Sequence, residues 1–185
     1  MKLPLLAYNT ANIDEFISFW SRFYNYPIEE LYTPRINKKQ YSKDDLVQLF
    51  VWKNGSRLSQ KKHKALQEII DKLELINRLK SKFCLNAFLK EFRFVKGAIW
   101  KTYLLHIIAP DGYPIFDQHV CRAFYFISKG QRKEISTKNP DKEKVYFNEY
   151  VDFFNELTGK PNRKKLDEAL WAFGKFLKSN YGKTI

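Results

Sequence analysis

Apolar residues recur at helical spacing along most of the chain, and no alternating strand pattern persists. A first stripe (Ile13, Phe16, Ile17, Trp20 and Tyr24) begins near Asn9 to Asn12 and is closed by Pro27. The other predicted helices lie between Ser42 and Gly55, over residues 59–80, 82–91 and 98–108, after Asp117, through Phe147–Phe154, and after Pro161. Residues 28–41 are predicted to be irregular, and residues 128–144 to form an exposed loop. The pattern predicts an all-α fold of seven or eight helices, and no shift in composition marks a linker between domains.

One loop stands out because it presents a carboxylate at the start of a helix. Pro110 and Gly112 end the preceding helix, and Pro114 favours an extended conformation for the residue before it. Asp117 then precedes an apolar stripe at helical spacing. Asp117 is therefore either a plain N-cap or a functional carboxylate, and the two roles are compatible.

The charge balance suggests a polyanionic partner. The chain has 33 basic and 20 acidic residues, a formal net charge of +13, and 44% apolar residues, of which many are aromatic. Its isoelectric point is near 9.6. These values favour nucleic acid as a partner, with an anionic membrane surface as the second candidate.

Cysteine and histidine usage argues against metal and disulfide chemistry. Cys84 and Cys121 are too few for a disulfide framework or a four-cysteine zinc site, and His63, His106 and His119 lack ligand spacing with them. The N-terminus has no long apolar core, and no apolar run reaches membrane-spanning length. We therefore expect no metal, no cofactor, no membrane, and a cytoplasmic setting, nucleoid-associated if the source is prokaryotic.

Catalysis by a carboxylate is the main enzymatic possibility, since no phosphate-cradling glycine loop or nucleophile elbow is present. A carboxylate can stabilise an oxocarbenium-like transition state and orient water during hydrolysis of a glycosidic bond. A basic face can hold phosphates, and aromatic side chains can hold an extruded base. Those are the requirements of a DNA glycosylase.

The segment Pro114–Arg122 resembles the V-D-T-H-V-x-R signature of the helix-hairpin-helix DNA glycosylase superfamily. In that family the aspartate of the signature is catalytic, which implies this role for Asp117. His119, Val120 and Arg122 match in register. The resemblance implies base excision repair of double-stranded DNA in which the damaged or modified base is flipped out.

The rest of the resemblance is that of a divergent member. It is strong over residues 95–128 and suggestive over 166–177, where Leu170–Gly174 is similar to the family's Trp- and Gly-bearing terminal helix. It implies a single glycosylase-like unit over residues 1–185, with two helical lobes. The N- and C-terminal segments would form one lobe, and residues 42–128 the central lobe with the hairpin and Asp117.

The hairpin departs from the family pattern. Phe94–Thr102 stands where the family has L-P-G-V-G-x-K-T-A, with one glycine, Gly97, and no proline, so Lys96 could supply the phosphate contact by charge. The position of the family's Schiff-base lysine falls at Ile99, and Lys101 is two residues out of register. The comparison implies a monofunctional hydrolase, with Lys101 expected to be an ordinary exposed helix lysine.

Candidate residues follow from the motif and from the basic runs beside it. The proposed DNA contacts are Lys96, Gly97, Lys101, His119, Arg122, Arg57 and Lys61. The proposed base-pocket residues are Tyr113, Phe116 and Trp100, and Trp52 lies in a stretch that could enter a groove. Four of these residues have a structural alternative. Aromatic residues beside proline, such as Tyr113 and Phe116, are more often core; the alternative for His119 is a partly buried, hydrogen-bonded position, and for Arg122 it is pairing with a carboxylate.

Two functions besides the monofunctional glycosylase stay open. One is a helical nucleic-acid-binding protein that keeps this scaffold without catalysis, which the altered hairpin favours. The other is a basic protein that binds an acidic protein, although the sequence indicates no obligate protein partner.

Overall fold

The computed structural model describes residues 12–157, 163–180 and 182, and within them the fold is all-helical, as predicted. The α-helices are α1 (Ile13–Trp20), α2 (Thr33–Ile36), α3 (Lys43–Asn54), α4 (Gln60–Ile70), α5 (Leu73–Ser81), α6 (Leu85–Glu91), α7 (Ala98–Ile108), α8 (Gln118–Lys129), α9 (Asn139–Val145), α10 (Val151–Leu157) and α11 (Arg163–Lys178). Short 3₁₀ turns cover Ser21–Phe23 and Glu29–Leu31, and a π-helical turn covers Tyr146–Tyr150. None of the helices in the described ranges is long and apolar enough to cross a membrane. The predicted caps near Asn9 and at Pro161 lie outside the described residues.

Local sequence signals set several helix ends. Ser42 and Asp45 form a reciprocal capping box at the start of α3, in which each side chain accepts a hydrogen bond from the other's main-chain N–H. Ser59 caps α4 by accepting from the N–H of Lys62. Gly55 ends α3 with a φ of +69°, a left-handed conformation that favours glycine. The predicted bounds of α3 are confirmed because these short-range signals are unambiguous.

The helix predicted over residues 59–80 is two helices, and that prediction was wrong. Lys72 adopts φ −103° and ψ 21°, so the chain leaves helical geometry between α4 and α5 while the apolar spacing continues across the break. The stretch 28–41, predicted to be irregular, holds the second 3₁₀ turn and α2, and the predicted loop 128–144 holds most of α9. The described chain therefore has more helical segments than the seven or eight predicted.

The fold divides into two compact units. The terminal unit consists of the segments up to Tyr24, from Gln118 to Glu134, and from Phe153 onward. The central unit consists of Asn25–Asp117 and Ile135–Asp152. The division places Asp117 at the end of a segment of the central unit and α8 in the terminal unit.

The terminal unit is built on the packing of α8 against α11. A Cβ atom at position 174 would lie 1.9 Å from the main-chain oxygen of His119, so only glycine permits this approach. The rings of Phe16 and Trp20 on α1 lie 5.6 Å and 4.9 Å from that of Phe173 and cover the next part of α11. Aromatic contacts of this kind hold α1 in place.

The core of the central unit lies between α3 and α7. Leu49 and Phe50 are fully buried, and the Phe50 ring lies 5.4 Å from that of Tyr103. The hydroxyl of Tyr103 donates to the main-chain oxygen of Leu49 at 3.0 Å, which satisfies a polar group inside the core. Each large apolar side chain buried here stabilises the unit by about 2 kcal/mol. The last turn of α3 is thereby held against α7, and that turn carries Lys53.

Candidate active site

Asp117 and Lys53 form an ion pair in the central unit. Asp117 Oδ2 lies 3.6 Å from Lys53 Nζ, and 22% of the aspartate side chain is exposed. The lysine side chain is only 6% exposed. A partly exposed carboxylate is therefore paired with an almost fully buried cation. The sequence pattern did not predict this role for Lys53.

Two features of the fold position Lys53. It lies in the last turn of α3, where the helix dipole favours a positive charge. Its ammonium group also lies 5.5 Å from the centroid of the Tyr103 ring, within the range of a cation–π interaction. The bond from Tyr103 to Leu49 fixes the tyrosine ring in the core, and the ring in turn fixes the position of the Lys53 ammonium group.

Tyr26 lies close to the same carboxylate. Its hydroxyl donates to the main-chain oxygen of Trp52 at 2.9 Å. Burial, followed by the negative charges of Asp117 and Glu29, raises the pKa of Tyr26 to about 12. The phenol is therefore neutral at physiological pH and acts as a hydrogen-bond donor.

Trp52, the residue before Lys53, is buried and does not project into solvent. It is 4% exposed, its ring is stacked on that of Tyr32 at 4.2 Å, and its Nε1 donates to Glu29 Oε2 at 3.0 Å. The prediction that Trp52 enters a groove was wrong, because Trp52 lies within α3 and not in the loop after it.

A buried histidine, His106, connects the loop before Asp117 to Tyr32. His106 Nδ1 lies 2.8 Å from the main-chain oxygen of Tyr113, which can only accept, so Nδ1 carries the proton. The hydroxyl of Tyr32 lies 2.7 Å from Nε2, so both ring nitrogens of His106 have a hydrogen-bond partner. Tyr113 itself is partly exposed, with its ring 5.3 Å from that of the exposed Phe83, so it remains a candidate for the base pocket.

The π-helical turn supports the other side of the loop. The hydroxyl of Tyr146 donates to the main-chain oxygen of Pro114 at 3.0 Å. Phe116 is fully buried, with its ring 5.4 Å from that of Tyr146 and 5.1 Å from that of Tyr150. Phe116 thus supports the loop from the core and does not line an open pocket, contrary to its predicted role.

The predicted hairpin connects α6 to α7, and Gly97 is the N-cap of α7. Its φ of −84° and ψ of 114° suit any residue, and a Cβ there would meet only the Cβ of Trp100 at 3.9 Å. Lys96 is exposed, and its main-chain oxygen accepts from Asn139 Nδ2 at 2.8 Å. Trp100 is partly exposed, with its ring 4.9 Å from that of Phe50. The hairpin therefore presents Lys96 and the first turn of α7 without requiring a glycine conformation.

Lys101 is not the exposed helix lysine that was expected. Its Nζ lies 3.0 Å from Glu143 Oε2, and its side chain is 13% exposed. The partner belongs to α9, a helix that the sequence pattern did not predict. Lys101 thus joins α7 to α9 in the central unit and is a poor candidate for a DNA contact.

In the terminal unit, Arg122 is also occupied by the protein itself. It is 3% exposed, it makes two hydrogen bonds of 2.8 and 2.9 Å with Glu134, and it donates to the main-chain oxygen of Gly174. The bond from Arg122 keeps the pKa of Glu134 below its usual value. The structural alternative for Arg122 therefore applies, and Arg122 is a poor candidate for a DNA contact. His119 is half-buried, with its ring 5.1 Å from that of Trp171.

Arg57 and Lys61 are exposed at the start of α4, where they can still meet a phosphate. Among the described residues, no three histidine, cysteine, aspartate or glutamate side chains come together as a possible metal site. No family model, curated protein or solved structure matches this chain.

Proposed function

We propose that this protein is a monofunctional DNA N-glycosylase that flips out a damaged or modified base and hydrolyses its bond to deoxyribose. The observation that carries the proposal is the pair of Asp117 and Lys53, in which a partly exposed carboxylate is fixed by a covered cation. An oxocarbenium-like transition state needs a preoriented negative charge next to it. Asp117 supplies that charge and positions the attacking water.

The surroundings of Asp117 support the same chemistry. The loop before it is tied to His106 through Tyr113 and to Tyr146 through Pro114, so the carboxylate does not depend on a freely moving loop. Fixed geometry is what proximity effects require, since a misplacement of about 1 Å can cost about 10²-fold in rate. Partly exposed Tyr113 is available to contact the flipped base.

The charge of the chain supplies the DNA contacts in this proposal. The net charge is +13, and Lys96, Arg57 and Lys61 are exposed in the central unit. Binding through phosphates predicts an affinity that falls steeply with salt. An affinity for duplex DNA that is flat in salt would contradict this part of the proposal.

The test uses duplexes that carry uracil, 8-oxoguanine, alkylated purines or phage-type modified bases. After incubation, alkali cleaves the strand wherever a base has been removed. We expect alkali-labile strands from wild type with at least one of these duplexes and none from Asp117→Asn. Labile strands of equal yield from both proteins would contradict the role of Asp117.

A non-catalytic nucleic-acid-binding protein is the second candidate. It is favoured by the altered hairpin, which has a single glycine, Gly97, in an ordinary conformation where the resemblance implies two glycines. Its signature would be salt-dependent DNA binding that survives in Asp117→Asn, with no strand made alkali-labile by wild type.

A further inference from the structure

The C-terminal end of α8 carries a basic surface that the motif does not include. Lys129, Arg132 and Lys133, together called the α8 basic surface, are all exposed. Lys133 Nζ lies 4.6 Å and Lys129 Nζ 5.3 Å from the centroid of the Tyr125 ring, so one ring faces two cations. Cations held over aromatic rings keep their charge exposed while their aliphatic stems are ordered.

The third cation is held in the same way on the next ring. The guanidinium carbon of Arg132 lies 5.7 Å from the centroid of the Phe126 ring. Arg132, Lys129 and Lys133 are thus all anchored on aromatic residues of α8, and the surface is a fixed arrangement within one unit.

A glycine turn creates this arrangement. Gly130 has a φ of +61°, and its N–H donates to the main-chain oxygen of Phe126 at 3.0 Å. The N–H of Gln131 donates to the main-chain oxygen of Tyr125 at 3.1 Å. These bonds turn the chain back over the last turn of α8, so that Lys129 and Lys133, on either side of Gly130, share the ring of Tyr125. A preorganised surface loses little entropy when it binds.

The carboxylate nearest in sequence to the α8 basic surface, Glu134, is bonded to Arg122. Glu134 is the only acidic residue from Gln118 to Glu134, and both of its oxygens accept hydrogen bonds from Arg122. The one negative charge of this segment is therefore held against a buried guanidinium.

We propose that the α8 basic surface binds the phosphodiester backbone of duplex DNA, as a contact surface in the terminal unit in addition to the residues near Asp117. The proposal rests on the proposed function and deepens it. A membrane surface fits less well, because interfacial binding needs a band of exposed apolar side chains. Among the described residues, the exposed large hydrophobic side chains are only Phe23, Phe83 and Ile127.

The test measures the salt dependence of affinity for an unmodified duplex. The triple variant Lys129→Gln, Arg132→Gln, Lys133→Gln removes three phosphate contacts, so the slope of log affinity against log salt should become shallower by about 2 to 3. The control variant Lys43→Gln, Lys72→Gln, Lys90→Gln removes the same charge from scattered exposed positions of the central unit. Its slope should change by less than about 1.

A charge-conserving variant separates charge from folding. Lys129→Arg with Lys133→Arg keeps both cations over Tyr125 and should keep the wild-type slope. Circular dichroism and melting temperature report whether each variant is folded. A folded triple variant with the wild-type slope would overturn the proposal, as would a charge-conserving variant that loses the slope as fully as the triple variant does.

The remaining outcomes distinguish the two proposals. A shallower slope in the triple variant, in a protein that releases no base from any substrate, supports the surface and contradicts the glycosylase. Base release by wild type, together with an unchanged slope in the triple variant, supports the glycosylase and contradicts the surface. Wild type that does not bind duplex DNA contradicts both. Binding to phosphatidylserine vesicles that exceeds DNA binding and is lost in the triple variant contradicts the role of the α8 basic surface.

Discussion

The main-chain oxygen of His119 lies 1.9 Å from the position that a Cβ atom on residue 174 would occupy, and residue 174 is glycine. The contact is backbone against backbone, so neither side can yield by a side-chain rotation. The close packing of α8 on α11 therefore depends on this one missing methyl group, and Arg122 donates to the main-chain oxygen of the same Gly174.

Gly174→Ala should accordingly destabilise the protein strongly. The added methyl group forces α8 and α11 apart, and overpacking of this kind costs about 3 kcal/mol. The matched control is Gly97→Ala, whose new Cβ would meet only Trp100 at 3.9 Å in an ordinary conformation. Thermal unfolding should show a large fall in melting temperature for the first variant and little change for the second, which loses chain entropy in the unfolded state. Equal melting temperatures for the two variants would contradict the packing argument.

The pair of Arg122 and Glu134 predicts a stability that depends on pH. Arg122 lowers the folded-state pKa of Glu134, so the pair stabilises the protein fully above the unfolded pKa of glutamate, about 4.3, and less as pH falls through the lowered value. The glutamate side chain is 63% exposed, so solvent screening limits this contribution to below about 1 kcal/mol.

Glu134→Gln is the variant that tests this pair. It should remove the pH dependence of unfolding that is due to Glu134, and above the unfolded pKa of glutamate it should lower stability by less than about 1 kcal/mol, because a neutral glutamine stands in for the protonated glutamate. Urea unfolding across the acidic range provides the measurement. An acid limb that is identical in wild type and Glu134→Gln would show that the pair does not contribute.

Tyr146→Phe tests whether the π-helical turn positions the Asp117 loop. The change removes the hydrogen bond to Pro114 and should cost about 1 kcal/mol. Tyr41→Phe is the matched control, since it also removes a buried hydroxyl of the central unit that donates to a main-chain oxygen, that of Ile36. Similar losses of stability are expected, while base release at saturating DNA should fall only in Tyr146→Phe. Equal activity in the two variants would argue against a positioning role.

The sequence predicted what depends on near neighbours in the chain. The all-α class, the cap at Ser42, the end at Gly55 and the place of Asp117 before α8 all come from short-range spacing and turn chemistry. The break at Lys72 was missed because the apolar spacing runs through it.

The contacts of charged side chains were the least predictable part. Lys101 was expected to be exposed, but its partner Glu143 lies on a helix that the pattern assigned to a loop. Lys53 carries no signal in the sequence, because Asp117 lies far from it along the chain and the two meet only in the folded central unit. Ion pairs between distant segments leave no periodic signal, whereas caps and turns do.

Lys53→Met is therefore the variant that most directly tests the candidate site. Loss of the cation removes the ion pair that helps to position Asp117, and a misplaced carboxylate should lower kcat for base release by about 10²-fold with little change in DNA affinity. The control is Lys101→Met, which removes another largely buried, ion-paired lysine from the same unit. Equal effects on kcat from the two variants would indicate general destabilisation.

The same lysine allows a test of the monofunctional mechanism. A duplex with an abasic site, treated with borohydride in the presence of the protein, traps any Schiff base as a covalent adduct. We expect none, because the Lys53 side chain is 6% exposed and its amine is paired with Asp117. An adduct formed by wild type and by Lys101→Met, but not by Lys53→Met, would show that Lys53 acts as a nucleophile and that the enzyme is bifunctional.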